Sequence, residues 1–111
     1  TEGGSSAAEY DAIQFKKQGN GDFTNIVISG YTTAGATAVR IQDAGTNTDQ
    51  VNTSKIKLTS VKINDGTSEY AGAGTLTVAF PSGQFTTSSS ATGANLTNGV
   101  WSTVGGVSLI Q

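Results

Sequence analysis

Apolar side chains recur at every second position in several short windows of this chain, the spacing of half-buried strands, and nowhere hold a capped 3.6-residue period. In AIQFKK, Ile13 and Phe15 share one face. FTNIVIS places Ile26 and Ile28 on one side and Val27 on the other, which predicts a strand buried on both faces or central in its sheet. TAVRIQ puts Val39 and Ile41 inward with Arg40 and Gln42 outward, and GTLTVAF alternates with Leu76, Val78 and Phe80 inward. QFTTSSS reads as an edge strand, and VWSTVGGVSLIQ closes the chain with a break at Gly105–Gly106. QGNG, NDG, PSG and Asn98-Gly99 supply turns between these windows.

KIKLTSVKI breaks its own alternation. Ile56 and Leu58 fall on one face, yet Val61 and Ile63 fall on the other. All four become inward only if a β-bulge, or a crossing between sheets, shifts the phase at Thr59–Ser60. The pattern as a whole predicts an all-β single domain over residues 10–111, an antiparallel β-sandwich of about seven or eight strands. Residues 1–9 form a flexible lead or assembly arm before it. SSAAEYDAIQ has room for one helical turn, DAGTNTDQ reads as a polar loop, and no internal repeat stands out.

Composition narrows the function. The net charge of −2, with only six Lys and Arg, is unsuited to nucleic acid, where phosphates need clustered cations. No apolar run reaches the roughly 18 residues of a membrane span, so no direct membrane insertion is expected. The chain opens at Thr1 and contains no Met, which points to a leader or longer precursor. Seventeen Thr and 12 Ser stand beside 15 Gly, and Cys and His are absent. Such a chain suits an extracellular, cell-surface protein.

Without His or Cys, the common proton shuttle and thiolate nucleophile are missing, and the expectation is that the protein is no enzyme. A Ser–Lys pair would have to draw on Lys55, Lys57 or Lys62, which alternate with apolar residues as outward strand positions do. Asp43, Asn47 and Asp49 could offer oxygens to calcium, though they lack the spacing of a calcium loop; Asp65 and Glu69 form a weaker cluster. No cofactor is implied. Asn52-Thr53-Ser54 and Asn95-Leu96-Thr97 satisfy the N-glycosylation triplet, and TTSSSAT at 86–92 suits O-linked sugar.

From Tyr70 to Gln111 there is no Asp, Glu, Lys, Arg or His. Soluble surfaces ordinarily carry about 25–35% charged residues. Glycan or contact with other copies would account for the gap, since charge is depleted at the core of interfaces. Native sheet edges are guarded by Lys, Pro or inward charge, and TLTVAF and VSLIQ have no such guard. The composition resembles that of pilins and other extracellular filament subunits, which are small Thr/Ser/Gly-rich β domains. It lacks the long apolar N-terminal helix of type IV pilins, which a second pilin-type chain would have to supply. The expectation is a structural subunit of an extracellular homopolymer, a pilus-like filament held by strand and uncharged surface contacts. Tyr10, Ile13, Phe15 and Trp101 are the candidate assembly anchors, although Ile13 and Phe15 suit an ordinary first strand equally well. A virion component, such as a capsid-decoration or tail protein, and a carbohydrate-binding or adhesive module are the alternatives.

Overall fold

The computed structural model describes residues 11–94 and the backbone of two short strands at 103–104 and 107–108. Six strands succeed one another: β1 (Asp11–Phe15), β2 (Gly21–Ile28), β3 (Thr37–Ile41), β4 (Ile56–Ile63), β5 (Ser68–Gly72) and β6 (Phe85–Thr87). Odd strands form one sheet in the order β1-β3-β5, and even strands form another in the order β2-β4-β6. Every pairing in these two sheets is parallel. A chain that visits two parallel sheets alternately, adding one strand to each in order, is wound as a solenoid. β1 and β2 make its first turn, β3 and β4 the second, β5 and β6 the third. β7 (Thr103–Val104) and β8 (Val107–Ser108) pair separately, as an antiparallel ladder.

This corrects the antiparallel sandwich expected from the sequence. Alternation reports which face of a strand is buried, and nothing about the direction of its neighbour. Parallel partners need a crossover between them, and here each crossover contains a strand of the opposite sheet.

An internal repeat is present after all. DAIQF of β1 stacks on TAVRI of β3, with Asp11 opposite Thr37 and Phe15 opposite Ile41. FTNIVI of β2 stacks on LTSVKI of β4, with Phe23 opposite Leu58 and Ile28 opposite Ile63. Unequal connectors hide the period. Residues 16–20 join β1 to β2, whereas 42–55 join β3 to β4 and 73–84 join β5 to β6.

The core lies between the sheets. Phe15, Val39 and Ile41 from one meet Ile28, Ile56, Leu58 and Val61 from the other, all buried. Stacked columns run through it, Ile13–Val39–Tyr70 and Phe15–Ile41–Gly72 in the first sheet and Phe23–Leu58–Phe85 in the second. At the third turn, Tyr70, Phe80 and Phe85 pack against one another with ring centroids 4.9–5.5 Å apart. Offset and edge-on contacts of this kind add about 0.5–1.5 kcal/mol each to the area they bury. Gly72 must be glycine, because a Cβ there would collide with the carbonyl of Leu76.

The phase shift in β4 is a bulge. Ser60 takes a left-handed conformation (φ 57°), the register shifts between Leu58 and Val61, and Ile56, Leu58 and Val61 are all buried with Ile63 packed beside them. Asn25 in β2 does the same (φ 60°), which lets Phe23 and Ile26 share a column direction. Thr86 accepts a hydrogen bond at 3.1 Å from the Ser60 N–H.

Three local expectations are also revised. FTNIVI is an end strand, half exposed, rather than central. The alternation of Leu76, Val78 and Phe80 does place them against the core, yet residues 74–80 pair with no strand among the described residues. DAGTNTDQ is helical: Asp43 caps a short turn α1 (Ala44–Thr46), which continues as a π-helical turn at Asn47–Val51. The third-turn strand of the first sheet is SEYAG, whose small and charged residues carry little strand signal.

Candidate functional site

At one corner of the solenoid, polar side chains replace the strand ladder. Lys17 and Gln18 both have positive φ, which aims their N–H groups at the next turn. The Lys17 N–H donates to Asp43 Oδ2 at 2.9 Å and the Gln18 N–H to Thr46 Oγ1 at 3.0 Å. Gln18 donates to Asp49 Oδ2 at 2.9 Å and accepts from Gln50 at 2.7 Å, while Asn20 donates to Gln50 Oε1 at 2.7 Å. The calcium candidates therefore sit in a structural clasp. Both oxygens of Asp43 are engaged, by the Thr46 N–H and hydroxyl as well as by Lys17. The Thr46 N–H, then the Lys17 N–H, hold the Asp43 carboxyl below its ordinary value against a small opposing desolvation. Asn47 turns its amide nitrogen toward Thr77 O at 3.5 Å and leaves Oδ1 buried without a partner. Among the described residues no three His, Cys, Asp or Glu converge as a metal site would need.

The opposite corner is organised by Asp65. It accepts from the Tyr31 N–H at 3.0 Å and the Thr67 N–H at 3.1 Å. The Thr67 side chain first, and then the Thr67 and Tyr31 N–H groups, hold the Asp65 carboxyl below the usual aspartate pKa against desolvation. Beside it opens a cleft of about 420 Å³, lined by Val61, Lys62 and Ile63, the Gly66–Thr67 turn, Glu69, and Thr87 to Ser89. Lys62 thus approaches serine hydroxyls, yet among the described residues no hydrogen bond joins it to them. The cleft occupies the corner where a link from the third turn to a fourth would run. Instead the chain doubles back after β6. The Ser88 N–H donates to Val61 O at 2.9 Å, and the Thr92 N–H donates to Asn25 Oδ1 at 2.8 Å. Asn25 Nδ2 returns a bond to Gly93 O at 2.9 Å. Gly93 (φ 74°) lies against Val27. The segment from Ser88 to Gly93 therefore straps the third turn to the first.

Comparison with family models, curated proteins and solved structures finds no match to this chain. The site must be read from its own geometry.

Arg40 binds all three turns. It pairs with Asp11 at 2.8 Å and donates to Gly35 O at 3.1 Å and Gly72 O at 3.0 Å. Of the candidate assembly anchors, Phe15 is buried in the chain's own core and Ile13 is half-buried against it, so Asp11–Phe15 serves as an ordinary first strand. Asn52 is exposed on the turn after the π-helical segment, as glycan attachment requires. Tyr10, Asn95 and Trp101 lie outside the described residues. The residue missed by sequence reasoning is Phe23. It belongs to the column Phe23–Leu58–Phe85, yet it is 41% exposed, the one large apolar side chain so exposed among the described residues. Its equivalence to buried Leu58 in the FTNIVI/LTSVKI repeat was the available signal.

Proposed function

We propose that the protein is a structural subunit of an extracellular homopolymer, a pilus-like filament in which copies associate through their sheets and uncharged surfaces. The observation that carries this reading is Phe23, a core-column residue whose ring lies 5.9 Å from that of Phe15 yet stays 41% exposed at the end of the first turn. Fully burying a phenylalanine is worth about 1.5–3 kcal/mol, so an end left in this state favours a covering surface. Parallel solenoids also have two unlike ends. Contact between unlike ends is heterologous, and heterologous contacts that do not close into a ring produce filaments. The last turn is composed to take part, because nothing after Glu69 is charged. Its strand Phe85–Thr87 carries only aromatic and hydroxyl side chains. No helix among the described residues is long and apolar enough to cross a membrane.

Electron microscopy and sedimentation of the purified chain test the proposal. Filaments or long oligomers are expected from the wild type, and loss of them from Phe23→Asp with an unchanged circular dichroism spectrum. A wild type that stays monomeric at high concentration overturns it.

A further inference from the structure

Resting on that reading, we infer that copies stack head to tail in one register, the first turn of one subunit continuing the last turn of the next. The two ladders specify which residues meet. Within the chain, Asp11 stands over Thr37 and Thr37 over Ser68; Ile13 stands over Val39 and Val39 over Tyr70. One further step of the same ladder sets Asp11 of an incoming copy on Ser68, Ala12 on Glu69 and Ile13 on Tyr70. In the second sheet, Phe23 stands over Leu58 and Leu58 over Phe85, while Ile26 stands over Val61 and Val61 over Thr87. One further step sets Phe23 on Phe85, Ile26 on Thr87 and Asp22 on Gln84.

Three features of the two ends agree with this partner. The strand directions match, because every ladder in the solenoid is parallel. The charges are compatible, since Asp11 meets Ser68, Ala12 meets Glu69 and Asp22 meets Gln84, and like charges directly opposed would destabilise a sheet. The apolar columns continue, because exposed Phe23 reaches the half-buried cluster of Tyr70, Phe80 and Phe85. An opposed pair of like ends offers none of this, since two first turns would set Phe23 and the parallel ladder against their own mirror direction.

The chain has no cysteine, so paired substitutions give an unambiguous test. In one subunit, positions 23 and 85 are separated by two strand spacings, roughly 9.5 Å. That exceeds the Cα separation of about 7 Å that a disulfide can bridge. A bond between them therefore forms only between copies. Phe23→Cys/Phe85→Cys should give, on oxidation, a ladder of covalent oligomers on a non-reducing gel, with each single variant remaining monomeric. Asp22→Cys/Gln84→Cys tests the same register with the aromatic residues intact, and carries the experiment if the first pair does not fold. Filaments visible by microscopy with no ladder from the folded variant overturn the register and leave the filament reading standing. Covalent dimers from Phe23→Cys or Asp22→Cys alone show like ends in contact and also overturn it. A monomeric wild type removes both.

Discussion

Asp43 shows how a residue that looks like a ligand can instead hold the fold. Its carboxylate receives Thr46 and Lys17, and through them one corner of the second turn is fastened to the first. Because these donors hold its pKa below the ordinary aspartate value, the folded state binds a proton less readily there than the unfolded chain. The stabilisation is therefore complete above the ordinary aspartate value of about 3.9 and is lost as pH falls through the lower folded value. Asp65, also lowered, adds to the same window. Asp43→Asn should flatten the decline of melting temperature between pH 5 and 2 and lower the melting temperature at pH 7; calorimetry across that range checks both. An unchanged acid profile would assign the decline to other carboxylates. Sequence alone marked this residue only as a weak calcium candidate without a calcium loop's spacing, because spacing shows where oxygens cluster and not which N–H groups already occupy them.

At the level of elements, the bulge in β4 was legible and its partner in β2 was not. IKLTSVKI contains an apolar pair on each parity, so a strict alternation would expose one pair. Ser60 absorbs the extra residue in a left-handed conformation, and both pairs turn inward. Deleting Ser60 would leave Ile56, Leu58, Val61 and Ile63 at alternate positions, so all four stay inward without a bulge, and the Asn25 bulge in β2 is left unmatched. Urea denaturation should therefore show most of the stability retained. A loss of roughly 3–6 kcal/mol, the value of returning two aliphatic side chains to water at about 1.5–3 kcal/mol each, would mean that β4 needs its bulge to hold register with β2. Ser60→Val tests the backbone separately: a β-branched residue at positive φ should cost about 1–2 kcal/mol while leaving the register unchanged. FTNIVI hid the same device because Ile26, Val27 and Ile28 form a continuous apolar run, which reads as a central strand whether or not a bulge precedes it.

Across the whole molecule, the solenoid makes each turn depend on its neighbours, with Arg40 and the Ser88–Gly93 strap joining turns that the ladders alone connect only in sequence. The surfaces offered for stacking are apolar or neutral, apart from isolated charges that meet neutral partners in the inferred register. Association should therefore be nearly insensitive to ionic strength: raising salt to about 1 M, where the Debye length falls to about 3 Å, should leave the oligomer distribution in sedimentation unchanged. Dissociation at high salt would locate the contact on charged surfaces instead. The strand-rich composition, the inward positions of Val39, Ile41, Ile56, Leu58 and Val61, and the need for a bulge at Thr59–Ser60 were all determined by the sequence, because they follow from side-chain alternation within one strand. Strand direction, the pairing of β1 with β3 and β2 with β4, and the exposure of Phe23 were decided only by the tertiary structure. These depend on contacts between segments that connectors of unequal length keep out of any regular period, and a local pattern carries no information about which distant strand will lie beside it.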